Sequence, residues 1–265
     1  MKTDKKTAPS ISSDKVLHLH CPDAWNKMSQ EQLRYVLSLI GSNLYNEVEI
    51  RTFLLIRLCG ITVIKKHTEG FWSCSVILDT GKTHFFDLQT WQIQDMIGQL
   101  EFVNHPDDMD VRLENICGCW AVDRLLHGLP FIDYLNLEAC YQGWMITKGI
   151  DRIVAMAKIL YRDKDGYMPD TLQLDIAEQT GTLFWFYNIK KELARAFPNF
   201  FRPVKEMVGS NYKMLDAINA QMRALTDGDV TKEETIKQLD CWRCLTELDA
   251  KARDAEEFKR KYGNN

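Results

Sequence analysis

The 265-residue sequence has no long apolar run, no excess of basic charge and none of the common catalytic signatures. Its apolar stretches are short, Phe53 to Ile56 being typical, far below the roughly 18 residues that a membrane-spanning helix needs. No membrane segment is expected. Against 37 acidic residues stand 33 basic ones, for a net charge of -4. Such a chain lacks the positive field that drives sequence-independent phosphate binding, so nucleic acid is not an expected partner. The first fifteen residues mix Lys, Asp, Ser and Pro and have no apolar core of the signal-peptide kind, so a cytoplasmic origin is expected. G-x-S-x-G, H-E-x-x-H and G-x-G-x-x-G are all missing, and with them the commonest hydrolase, metalloprotease and dinucleotide-binding sites. That leaves no residue with an expected catalytic, cofactor-binding or metal-ligating role, and no expected cofactor.

What is present is a globular composition, 45% apolar and 26% charged, with ample material for a core. Eight cysteines in a chain of this length without an export signal read as reduced thiols. Residues 1–15 are too polar to offset their ordering entropy and are expected to form a mobile tail. Val16 to His20 alternate as a short edge strand would. Ser29 and Gln32 have capping-box spacing, and Leu33, Val36, Leu37 and Ile40 supply one apolar helical face that Gly41 can stop. Asn46 with Glu49 opens a second helix through Cys59, apolar on most sides and expected to be buried. From 61 to 88 the period becomes strand-like, with turns at Glu69-Gly70 and Asp79-Thr80-Gly81-Lys82. A three-stranded antiparallel meander follows, with Thr90 to Phe102 as the helix that covers one face.

The expected domain division comes near Asp110, with an α+β part at 16–110 and a helical bundle at 111–265. Stripes at Tyr134, Leu137, Tyr141 and Trp144, and at Ile150, Ile153, Val154, Ala157 and Leu160, mark two of its helices. Others are marked by Phe186, Ile189, Leu193 and Phe197, and by Val204, Met207, Val208, Leu215, Ile218, Met222 and Leu225. A last helix starts at Thr231 and is laced by Glu233/Lys237, Glu247/Lys251, Glu256/Arg260 and Glu257/Lys261 in the favourable i, i+4 order. The fold class expected is therefore mainly α with one small antiparallel meander.

Cys241-Trp242-Arg243-Cys244 has zinc or redox spacing and needs a partner pair, from Cys117 and Cys119 or from His18, His20 and Cys21. Cys241, Cys244, Leu245 and Leu248 also fall within one arc of a helix, as a core stripe would, and that reading is preferred. A mid-helix position would give a thiolate no help from the helix N-terminus, which weakens the redox reading further. Gly81-Lys82-Thr83 lacks the first glycine of a P-loop and precedes a strand, so it reads as a turn. His105 with Asp107, Asp108 and Asp110 could hold a cation or form an unrecognised active site, against the ordinary reading of a solvated acidic loop.

Aromatic residues cluster at Phe184, Trp185, Phe186 and Tyr187, then at Phe197, Phe200 and Phe201. Successive residues of a helix point about 100° apart, so one partner surface cannot cover all four of the first group. Either the helix is sandwiched in the bundle core, or the set contributes a docking patch for another protein.

Pro22-Asp23-Ala24-Trp25 with Met28-Ser29 and Glu31-Gln32-Leu33, then Phe86-Asp87-Leu88, and later Ala157-Lys158-Ile159-Leu160-Tyr161-Arg162, resemble segments of helical proteins from phages and mobile elements of gut Bacteroidetes. Those proteins look like assembly or tail-chaperone-type components. The resemblance implies a non-enzymatic role in building a larger, phage-like particle, with protein partners and a cytoplasmic or virion-associated location. It supplies no catalytic positions. A zinc-stabilised module contacting nucleic acid and an enzyme with an unrecognised site are the alternatives.

Overall fold

The computed structural model describes residues 9–11, 16–202 and 214–262. It is mainly helical with small antiparallel sheets, and it divides into two compact units, residues 1–111 with Ile176–Thr180, and residues 112–175 with 181–265. Among the described residues no helix is long and apolar enough to cross a membrane.

In the first unit, β1 (Ser10–Ile11) pairs antiparallel with β2 (Leu17–His18), and the Asp79 amide donates to the Pro9 carbonyl at 2.9 Å. Ser10 and Ile11 are thus structured, contrary to the expected tail; residues 1–8 and 12–15 of that tail lie outside the described residues. Helix α1 (Gln30–Ser42) starts in the expected capping box: Ser29 Oγ accepts from the Gln32 amide at 3.2 Å, and Gln32 Oε1 accepts from the Ser29 amide at 2.8 Å. Leu33, Val36 and Leu37 face the core. The stop is not Gly41 but Asn43, in the left-handed region at φ 52°. Gly41 serves close packing instead. A Cβ there would overlap Thr180 Oγ1 and come within 2.7 Å of Ile176 Cγ2.

Helix α2 (Glu47–Leu58) opens on the Asn46/Glu49 box and buries Ile50, Leu54 and Leu55, while Val48 and Phe53 are exposed, so only one side of it is core. The meander is β3 (Thr62–Lys66), β4 (Phe71–Ile77) and β5 (Thr83–Gln89), antiparallel in that order, with Trp72 opposite Leu88 and Cys74 opposite Phe86. Gly81, at φ 77°, closes the turn before β5, which is why Gly81-Lys82-Thr83 is a turn and not a phosphate loop. Cys74, Val76 and Leu88 point into the core; Ile77, Phe85 and Asp87 on the other face are exposed. Helix α3 (Thr90–Gly98) folds back on β5 and packs on α2, and a 3-10 turn at Glu101–Asn104 replaces the end of the longer helix expected here.

The second unit is not helices alone. A hairpin joins β6 (Asn115–Ile116) to β7 (Cys119–Ala121) through Cys117 and Gly118, both at positive φ (47° and 78°) as a two-residue hairpin turn requires, and β8 (Tyr161–Arg162) adds a third strand. Helices α4 (Phe131–Thr147) and α5 (Ile150–Leu160) form an antiparallel pair around a left-handed Lys148. Helix α6 (Ile176–Ala196) contributes its first five residues to the first unit and the rest to the second. Helix α7 (Met214–Thr226) packs on α8 (Glu233–Gln238) and α9 (Cys241–Tyr262), both of which pack on α4. The expected final helix is therefore split, with Leu239 and Asp240 between its two parts. Val204, Met207 and Val208 lie outside the described residues.

Gly41→Ala tests the close packing of α1 on the first turn of α6. In an open helix the change gains about 1 kcal/mol. Here the overlap should outweigh that gain and leave the protein about 1–2 kcal/mol less stable in urea denaturation, with part of the loss recovered in a Thr180→Ala background.

Candidate functional site

The helical period sorts the aromatic run of α6 into two sides. Trp185 and Phe186 point inward with Ile189 and Leu193; Tyr187 is 41% exposed and Phe184 half-buried. Trp185 Nε1 donates to the Arg124 carbonyl at 3.1 Å and its ring meets Tyr161 edge-on at 5.6 Å. Phe186 packs edge-on against Tyr141 at 5.4 Å, and Phe197 against Trp242 at 5.1 Å. Phe200 and Phe201 are half-buried and touch each other. Their turn is held by Asp249, which accepts from the amides of Asn199 (2.7 Å) and Phe200 (2.9 Å). Burial works against the Asp249 charge, but these hydrogen bonds outweigh it and hold the carboxyl below the ordinary carboxylate range. Trp185, Phe186 and Phe197 are core side chains, so of the seven residues of the expected docking patch only Phe184, Tyr187, Phe200 and Phe201 keep exposed surface.

The cysteines are not gathered into a metal site. Cys241 opens α9 instead of lying mid-helix, and Asp240 caps it by accepting from the Arg243 amide at 3.2 Å. A helix N-terminus favours a thiolate. Burial opposes it and wins, with the Asp240 carboxylate acting in the same direction, so the Cys241 thiol is pushed up to about 12 and that of Cys244 to about 11. Cys241 Sγ donates to the Leu126 carbonyl (3.3 Å) and Cys244 Sγ to that of Ile236 (3.8 Å). Cys117 is exposed at the hairpin turn with its Sγ on the Gln173 carbonyl at 3.2 Å, and Cys119 is buried. All eight cysteines are free thiols, and among the described residues no three His, Cys, Asp or Glu side chains group closely enough to hold a metal ion. The zinc clamp is therefore not assembled. Asp107 and Asp108 lie in a 3-10 turn, His105 is exposed, and Asp110 accepts from Asn26 Nδ2 at 3.3 Å; these four residues likewise form no group that could hold a metal ion.

Three other groupings bring residues together that are distant in sequence. In the first unit the Cys59 thiol hydrogen-bonds to Cys21, and that bond lowers the Cys21 thiol while it raises that of Cys59. On the open face of the meander, Ser73 Oγ donates to Asp87 Oδ1 at 2.8 Å and lies 2.9 Å from His67 Nε2, whose ring stacks on Phe71. A hydroxyl nucleophile needs the imidazole between it and the carboxylate. Here the hydroxyl is in the middle and spends its proton on Asp87, so the arrangement is a cross-strand polar relay, not an acyl-transfer triad.

The third grouping is in the second unit. Asp123 Oδ1 accepts from the amides of Leu125 and His127 and lies 2.9 Å from His127 Nδ1, and the imidazole stacks on Trp242 at 4.4 Å. Burial raises the Asp123 carboxyl and these hydrogen bonds more than reverse it, leaving the carboxyl below its ordinary range. The loop that carries the pair passes through Leu126, a fully buried residue at φ 69°. Its carbonyls are taken by Trp185, Trp242, Cys241 Sγ and the Cys241 amide. That network holds a strained backbone in place. Cys241, the reactive type nearest in the network, is buried and protonated, so the oriented imidazole has no thiolate to act on.

The last feature is a surface. Cys241, Cys244, Leu245 and Leu248 of α9 are buried, and the same stripe continues through Ala252, Ala255, Phe258 and Tyr262, where every residue from Arg253 on is exposed. The rings of Phe258 (65% exposed) and Tyr262 (67% exposed) lie 4.8 Å apart, tilted by 43°. Of the ion pairs expected along this helix, Glu247 and Lys251 meet at 3.8 Å, whereas Glu256 pairs with Arg202. No protein-family model, curated protein or solved structure matches this chain.

Because burial raises the Cys241 and Cys244 thiols from the ordinary 9.0, the stability they contribute is fully present below about pH 9 and is lost as pH rises toward 12. Unfolding free energy should fall through that window, and less steeply in Cys241→Ala. Under neutral conditions iodoacetamide should label Cys117 and Cys21 in the native protein and reach Cys241 and Cys244 only after denaturation, as read by peptide mass spectrometry.

Proposed function

We propose that the chain is a non-enzymatic protein-interaction component of a larger assembly. The observation that carries this reading is the apolar stripe of α9, which runs past the part of the helix that the second unit covers and ends in an exposed aromatic pair. Exposed apolar surface of this kind is retained where a partner covers it, and aromatic residues are enriched at interfaces. Two smaller clusters support the reading: Leu44, Tyr45 and Val48 at the start of α2, and Met145, Ile146 and Ile150 at the α4–α5 turn, all exposed. The three polar groupings described above, by contrast, are accounted for as hydrogen-bond networks that tie strands and loops together. The resemblance to phage-borne assembly proteins implies the same class, with a phage-like particle as the setting.

Phe258→Glu with Tyr262→Glu tests the reading. Both positions are solvated, so thermal stability should change by no more than about 0.5 kcal/mol. Light scattering and cross-linking in lysate of the native host should show the wild type associated with protein and the variant released from it. A wild type that remains a lone monomer under both measurements overturns the proposal.

A further inference from the structure

The charges beside the α9 stripe are not evenly mixed. Asp254, Glu256 and Glu257 form an acidic block, and Lys259, Arg260 and Lys261 form a basic block directly after it. All six are exposed. Along the seam, Ala255 and Tyr262 are seven residues apart, with Lys251 and Phe258 at the intermediate positions, continuing the register of the buried Leu248, which is the spacing of a paired helix. Glu256, the residue that Arg202 engages, lies on a different side of the helix from Phe258, so that ion pair leaves the seam open.

Resting on the interaction reading above, we infer that the occupant of this seam is α9 of a second copy of the chain, lying antiparallel across a two-fold axis near Glu256 and Glu257. In that register Phe258 of each copy packs over Ala255 of the other, a large side chain on a small one. Tyr262 lies along the aliphatic stem of Lys251, whose ammonium is held by Asp227 of its own chain at 2.5 Å. Asp254, which pairs with Arg253 of its own chain at 3.3 Å, faces Lys261 of the other copy, and the two-fold makes this Asp254–Lys261 contact twice in the dimer. A parallel pair would instead set Lys251 of one copy against Lys251 of the other in the seam, a like-charge contact that the antiparallel order avoids. The antiparallel pair is isologous, so the association closes at two copies. An overlap of about 12 residues, ~18 Å of helix, is at the small end of specific interfaces, and the dimer is therefore dissociable and salt-sensitive.

Sedimentation equilibrium of the full chain from micromolar to millimolar concentration, at low and high salt, reads this directly. The wild type should pass from monomer to dimer and no further. Asp254→Lys alone and Lys261→Asp alone each replace two attractions by two repulsions and should weaken dimerisation about tenfold. Carrying both changes restores the pairs with their signs exchanged and should return dimerisation to near the wild-type level; circular dichroism confirms that each variant keeps its helix. A wild type that is monomeric throughout, or a double variant that is no better than the singles, overturns the inference. If the monomeric wild type still cross-links to a different host protein and Phe258→Glu abolishes that cross-link, the seam serves a heterologous partner and only the second-copy assignment fails. If Phe258→Glu alters no association at all, the interaction reading fails with it.

Discussion

Burial of one stripe of α6 is the constraint on which the second unit depends. Trp185, Phe186, Ile189 and Leu193 occupy its interior, and each apolar side chain so buried contributes on the order of 1.5–3 kcal/mol. A buried indole N–H left without an acceptor is costly. Trp185 takes the Arg124 carbonyl, Trp242 the Leu125 carbonyl and Cys241 the Leu126 carbonyl, so the demand for satisfied polar atoms in the core determines the path of the loop from Asp123 to Leu129. The left-handed Leu126 and the stacking of His127 on Trp242 follow from it. In the first unit the corresponding constraint is the one-sided sheet: Cys74, Val76 and Leu88 are covered, while His67, Ser73 and Asp87 on the other face satisfy one another across the strands.

Burial also settles the cysteine chemistry. The position of Cys241 at a helix start would favour a thiolate, yet desolvation and the neighbouring Asp240 carboxylate prevail, and the C-x-x-C pair is a piece of core. Cys21 is the exception. Its partner in hydrogen bonding is Cys59, 38 residues away in sequence, and only the return of α2 toward the N-terminal strand pair sets the two thiols in contact. The same competition separates the two ends of α9, where the first turns lose their water to the core and the last turns keep theirs.

Much of the fold was legible because its signals are local. The capping boxes at Ser29 and Asn46, the two turns of the meander and the stripes of α4 to α6 depend on residues within a few positions of one another. The hairpin at Cys117-Gly118 is not legible in the sequence, because only Gly118 is a turn residue, Cys117 is not a type that favours positive φ, and the strands on either side are only two and three residues long. Gly41 reads in the sequence as a helix stop, whereas the segment that requires its missing side chain is Ile176–Thr180, far along the chain. The aromatic run of α6 had two readings in sequence, core and docking patch. Which of its members are buried depended on what lay across from each.

The sequence by itself determined the mainly helical class, the meander, the starts of the first helices and the want of any standard catalytic motif. Only the tertiary structure decided that Cys241 and Cys244 are core thiols, that Ser73 lies between His67 and Asp87, and that the α9 stripe emerges into solvent at Phe258. Periodicity and capping are properties of one segment, whereas burial, proton affinity and convergence depend on which segments meet.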